Sequence, residues 1–122
     1  KVLRVVSNSK WNGHTKPIFS SLRVLTIAKI NDFQVACFMF LCVNGLLPKV
    51  FSNAFYENST VHHHNTRNKH NLHITRHRLN VRQYTVQMSG PRLWNSLSTE
   101  IRSTKTLNVF KRKYRHILIN CD

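Results

Sequence analysis

The longest apolar run in the chain, Val35 to Val43, lies inside the segment KINDFQVACFMFLCVNGLLP. Within it Ile30, Phe33, Ala36, Cys37, Phe40 and Leu41 recur at three- and four-residue steps, the period of one face of an α-helix. Phe38, Met39 and Val43 widen that stripe, so most of the helix circumference has to be covered by other elements. The run is far too short to span a bilayer. It therefore predicts a core helix around which the rest of the chain must fold. Asn44-Gly45 supplies a left-handed stop, and Pro48 reopens a short helix through Ala54.

A chain of 122 residues can bury one modest core, so positions 1–122 are read as a single domain. Lys1 to Asn8 is apolar at Val2, Leu3, Val5 and Val6, which suits the last turns of a buried helix or a short strand, the helix being favoured. Trp11 to His14 is a turn, and Thr15 caps a helix running through Leu22, with Pro17 in its first turn. Asp32 is expected in the first turn of the core helix, offsetting its dipole. Glu57 to Asn71 has no periodicity, and positions 55–71 are read as an exposed, histidine-rich loop. Leu72 and Ile74 alternate with His73 and Thr75, and Tyr84, Val86 and Met88 with Thr85 and Gln87, which predicts the two strands of a short hairpin. Ser89-Gly90-Pro91 is expected to start a helix with Leu93, Trp94 and Leu97 on one face; Trp94 and Tyr84 could stack on bases, but their regular spacing with apolar neighbours favours core packing. Thr104 is expected to cap the last helix, with Leu107, Phe110, Tyr114, Ile117 and Leu118 on one side. The fold class is thus α+β but mostly α, a small helical domain with one β-hairpin.

Charge narrows the function. Nineteen Lys and Arg stand against four acids, Asp32, Glu57, Glu100 and Asp122, for a formal net charge of +15. From Arg67 to Arg115 there are twelve Lys or Arg and one acid, Glu100. Such a surface repels itself unless a counter-charge is near, so a polyanion is expected, with nucleic acid ranked before an acidic membrane surface and an acidic protein third; the partner expected is the phosphate backbone of RNA or DNA rather than a membrane. The candidate contacts are Arg67, Lys69, Arg76, Arg78 and Arg82 in the middle of the chain, and Lys111, Arg112, Lys113 and Arg115 on the last helix.

Several chemistries lack their residues. Two-metal phosphoryl transfer needs converging carboxylates, and the four acids are scattered. No Gly-rich nucleotide loop is present. Cys37, Cys42 and Cys121 are odd in number and badly spaced for zinc or a redox pair, so they are read as reduced thiols of a reducing compartment. Asn58-Ser59-Thr60 is a formal glycosylation acceptor, but no leader-like segment accompanies it. The expectation is a non-catalytic binder with no cofactor or metal of its own, and, since the chain opens at Lys1 inside a helical pattern, a piece of a longer protein.

The stretch VHHHNTRNKHNLHITRHR, Val61 to Arg78, has six histidines among eighteen residues. His62, His63, His64, His70, His73 and His77 could supply zinc ligands, a pH-dependent contact to a polyanion, or simply a solvated loop. Adjacent histidines in extended chain point in alternate directions, and no cysteine falls in the window. The weight therefore falls on the arginines.

Taken in order, several motifs resemble the C-terminal region of jockey-like non-LTR retrotransposon reverse transcriptases, downstream of the polymerase thumb. They are His14-Thr15-Lys16-Pro17-Ile18-Phe19, Asn44-Gly45-Leu46-Leu47-Pro48, Asn65-Thr66-Arg67 and Leu72-His73-Ile74-Thr75-Arg76, then Gly90-Pro91-Arg92-Leu93-Trp94-Asn95-Ser96-Leu97 and Phe110-Lys111-Arg112-Lys113-Tyr114. Their order and approximate spacing cover almost the whole chain. His64 stands where the family usually has tyrosine, Thr75 where proline is common and Ser98 where proline follows W-N-S-L. The resemblance implies a parent polypeptide with an endonuclease and an RNA-directed DNA polymerase that uses Mg2+, in a nuclear or cytoplasmic ribonucleoprotein. It implies that this chain lies beyond the catalytic carboxylates and contacts the polymerase domain of the same polypeptide. Two roles follow, holding nucleic acid or bracing the thumb.

Overall fold

The computed structural model of the chain describes residues 2–121. Seven helices are formed among them: α1 (Val2–Val6), α2 (Lys16–Ser21), α3 (Ile27–Val43), α4 (Asn58–Val61), α5 (Val86–Ser96), α6 (Thr99–Arg102) and α7 (Leu107–Asn120). Single 3₁₀ segments occur at Lys49–Phe51 and Asn80–Tyr84. No helix among the described residues is long and apolar enough to cross a membrane.

The core helix forms as predicted, but Ile30 and Val43, toward its two ends, are exposed rather than covered. α3 packs against both α5 and α7, burying Ala36, Cys37, Met39 and Phe40. Its start lies earlier than expected: Thr26 is the N-cap, its hydroxyl accepting from the Lys29 N–H at 3.4 Å. Asp32 consequently falls in the second turn, out of reach of the orphan N–H groups that a first-turn acid would offset. The C-terminus closes as Asn44-Gly45 requires. Gly45 has φ +66°, the Leu46 N–H donates to the Leu41 carbonyl at 2.9 Å and the Gly45 N–H to the Cys42 carbonyl at 3.1 Å, the two bonds of a Schellman motif.

Phe110 of α7 is the hub of the core. It is fully buried, as is Phe40. Its ring lies 4.8 Å from Phe40, 6.0 Å from Trp94 and 5.9 Å from Tyr114, separations at which each aromatic pair adds about 0.5–1.5 kcal/mol beyond area burial. Leu97, Ile101 and Leu118 complete the cluster, and Leu72 joins it from the loop. Thr106, not Thr104, caps α7, accepting from the Val109 N–H at 3.4 Å, because Thr99–Arg102 forms the separate helix α6 immediately before it.

The predicted hairpin is absent among the described residues. Leu72 takes part in one isolated antiparallel bridge with Glu57, residues Asn80–Tyr84 form 3₁₀ turns, and Val86 and Met88 belong to α5. Alternation over only five residues does not exclude a helix: Met88, Pro91 and Trp94 are all buried, a three-residue recurrence that extends the predicted Trp94 face backwards by two turns. Tyr84, stranded in the 3₁₀ segment, is 79% exposed rather than core. Pro91 lies inside α5 rather than at its start, which leaves the Gln87 carbonyl without a helical donor. Gly90 is the close-approach point of α3 and α5: a Cβ there would sit 2.6 Å from Met39 Sδ.

Candidate nucleic-acid interface

The middle of the chain is held by one asparagine. The Asn58 N–H donates to the Asn71 carbonyl at 2.9 Å and the His73 N–H to the Tyr56 carbonyl at 2.8 Å, pairing Tyr56–Asn58 with one edge of Leu72. The other edge is taken by Asn95 of α5. Its Oδ1 accepts from the Leu72 N–H at 2.9 Å and its Nδ2 donates to the Leu72 carbonyl at 2.9 Å, so a side-chain amide stands where a neighbouring strand would. Arg102 of α6 adds a bond from Nη1 to Asn71 Oδ1 at 3.1 Å. With its N–H and carbonyl both satisfied by Asn95, Leu72 can be buried, and the loop before it is tied to the helical core.

Two concavities flank this clasp. An open groove of about 610 Å³ is lined by amides and imidazoles, among them Asn58, His62, His64, Asn68, His73 and Asn95, and by Lys69. A smaller notch of about 160 Å³ is lined by Tyr56, Thr75, Arg76, His77, Arg82 and Gln87, together with His73. His73 thus borders both. Its ring stacks on Tyr56 with centroids 5.3 Å apart, and its Nδ1 lies 3.2 Å from Asn58 Oδ1.

The predicted contact residues separate into distinct sets. Arg76 and Arg82 come together at the notch and Lys69 lines the groove, whereas Arg67 and Arg78 line neither. Arg67, Arg76, Arg78 and Arg82 are exposed and Lys69 is half-buried. On α7, Lys111, Arg112 and Arg115 are exposed. Lys113 differs: its Nζ donates to Glu100 Oε1 at 2.9 Å. That hydrogen bond and the lysine charge lower the Glu100 carboxyl from its ordinary value, so Lys113 already has an acid partner within the fold. None of the other eight candidate cations pairs with an acid among the described residues.

The histidine-rich loop is exposed at His62, His63, His64 and His70. No group of three or more His, Cys, Asp or Glu is placed to hold a metal ion among the described residues. His70 instead lies 3.5 Å from Glu57. All three cysteines are free, Cys37 buried, Cys42 partly buried and Cys121 exposed. Burial raises the Cys37 thiol above its ordinary value, with nearby Lys111 opposing the shift, and burial alone raises Cys42. Burial thus disfavours the thiolate at both.

No protein-family model, curated protein or solved structure matches the chain. The arrangement has to be read from its own residues. Sequence reasoning passed over Asn95, Asn58 and Asn71, which build the clasp. One signal for Asn95 existed: it lies seven residues after Met88 and four after Pro91, on the buried side of the α5 stripe, where an amide needs a partner.

Proposed function

We propose that the chain is the nucleic-acid-holding C-terminal segment of a jockey-like non-LTR retrotransposon reverse transcriptase, with catalysis and its Mg2+ carried by the parent polypeptide. The observation that carries this reading is the eight candidate cations, seven of them exposed, that have no acid partner among the described residues. Such cations neutralise phosphates and release counterions, and a contact of this kind positions a strand without reading much of its sequence. The motif series that resembles the retrotransposon family supports the parentage. The amide- and imidazole-lined groove supports a single strand as ligand, since imidazoles stack on unpaired bases and amides bond their edges.

The test is the salt dependence of binding to single-stranded RNA and to duplex DNA. Affinity falls steeply on going from low to moderate salt, and a Lys111→Gln/Arg112→Gln/Arg115→Gln variant shows a shallower slope, by about 2 in log–log terms for single strands. An affinity indifferent to salt would refute the reading.

A second reading has its own support. All three valines of α1 and Trp11 are exposed, and an apolar depression is lined by Val35, Phe38, Phe51 and Val86. These surfaces suit a structural brace against the polymerase thumb. The same triple variant separates the two readings: unchanged RNA retention with an intact fold favours the brace.

A further inference from the structure

We propose that the notch between Arg76, His77 and Arg82 is a phosphate-binding site, seating one phosphate group of the strand, an inference that rests on the nucleic-acid reading above. Arg76 and Arg82 are six positions apart. The extended backbone at Leu79 and the 3₁₀ turns of Asn80–Tyr84 fold the chain back so that both border one small concavity. Every titratable residue lining it is basic, aromatic or imidazole: Tyr56, His73, Arg76, His77 and Arg82. No acid lines it, so the field inside has one sign and draws an anion rather than a metal ion.

The shape and donors narrow the class of anion. Two guanidinium groups offer forked N–H pairs that match the oxygens of phosphate, and the Thr75 hydroxyl and Gln87 amide add neutral donors at the same rim. The His77 Nε2 is enclosed and has no hydrogen-bond partner, an unfavourable state for a buried polar atom. A phosphate oxygen drawn in by the arginines gives that ring a partner when it turns toward the notch. At about 160 Å³ the space suits a phosphate group, while the groove of about 610 Å³ on the other side of His73 has room for the attached nucleoside. The stacked Tyr56 and His73 rings form the ledge between them.

The experiment follows the histidine side-chain NMR signals of the 122-residue chain during titration with inorganic phosphate. Two short single-stranded RNAs are then compared, one with a 5′-phosphate and one with a 5′-hydroxyl. A saturable shift at His77, absent at His14 and His116, is expected, and Arg76→Gln/Arg82→Gln raises the phosphate dissociation constant at least about tenfold. Neither arginine side chain makes an intramolecular hydrogen bond among the described residues, so the variant removes none from the fold; the wild-type titration decides the matter independently of it. Equal shifts with both RNAs, and a salt slope reduced by about 1.4 in the variant, support an internal backbone phosphate. A shift only with the 5′-phosphorylated RNA supports a terminal one. Saturation by inorganic phosphate with no RNA bound supports the site and refutes the nucleic-acid reading. RNA binding with a His77 shift no larger than those of His14 and His116 overturns the site and leaves that reading standing.

Discussion

Replacing Asn95 with alanine removes both bonds to the Leu72 backbone, each 2.9 Å long, and leaves an N–H and a carbonyl of a buried residue without protein partners. A made hydrogen bond is worth about 1 kcal/mol net, and an orphaned buried group costs roughly 1–3 kcal/mol. Leu72 and Asn95 both border the open groove, so water can enter and satisfy part of the loss. That places the expected cost at about 2–3 kcal/mol, or roughly 8–12 °C in melting temperature for a domain of this size. Chemical denaturation gives the energy, and amide hydrogen exchange gives the location: the Leu72 and His73 N–H groups, slow in the parent, exchange early in the variant. Asn95→Asp is a sharper probe. It keeps an acceptor for the Leu72 N–H but sets a carboxylate oxygen against the Leu72 carbonyl, and is expected to cost at least as much as alanine at neutral pH. An Asn95→Ala variant within about 0.5 kcal/mol of the parent, with Leu72 exchange unchanged, would refute the claim that this amide holds the loop.

Gly90→Ala tests the close approach of α5 to α3. The added methyl meets Met39 Sδ at 2.6 Å and Met39 Cγ at 3.3 Å, and Met39 is fully enclosed, so an overpacking cost of about 1–3 kcal/mol exceeds the gain of roughly 1 kcal/mol from helix propensity; a stabilised variant in urea denaturation would contradict the packing. Tyr114 gives an alkaline test. Burial, then the charges of Asp32, Cys37 and Cys121, push its phenol from 10.0 up to about 12. A raised pKa contributes stability that is complete below the unfolded value of 10.0 and is lost as pH climbs toward about 12, close to 2–3 kcal/mol in all at 1.36 kcal/mol per pH unit. Tyr114→Phe removes that component, so its stability declines less than the parent's across the window; parallel declines would show that Tyr114 does not titrate as its surroundings require.

The helical part of the fold was legible because its elements repeat one signal over many residues. In α3 the three- and four-residue apolar steps run for more than three turns, and Asn44-Gly45 marks its end. The hairpin misled because Tyr84 to Met88 is too short for alternation to outweigh a helical stripe that only becomes visible once Met88, Pro91 and Trp94 are counted together. Thr104 and Thr106 are two residues apart and equally able to cap; the choice was made by α6, a one-turn helix without a periodic signature. At the candidate interface the arginines announced themselves by charge, but the grouping of Arg76 with Arg82 came from the path of the intervening backbone. Lys113 carried the same charge as its neighbours and was set apart by Glu100, thirteen residues earlier, a distance over which sequence pattern says nothing. The role of Asn95 was hidden for the same reason, its partner being the backbone of Leu72, 23 residues away.

The clasp has a further consequence for how copies of this chain behave beside one another. A lone extended segment such as Leu72–Ile74, apolar and β-prone, is the kind of edge on which a second chain can add a strand. Here Tyr56 and Asn58 lie along one side of Leu72 and the Asn95 amide takes both its N–H and its carbonyl on the other, so Leu72 offers no unpaired backbone group. A sheet would need a further strand, and eventually a last one with an open edge. A side-chain amide ends the pairing at once, because it has no second face from which to continue it. Leu72 itself therefore offers a second copy of the chain no backbone group to pair with.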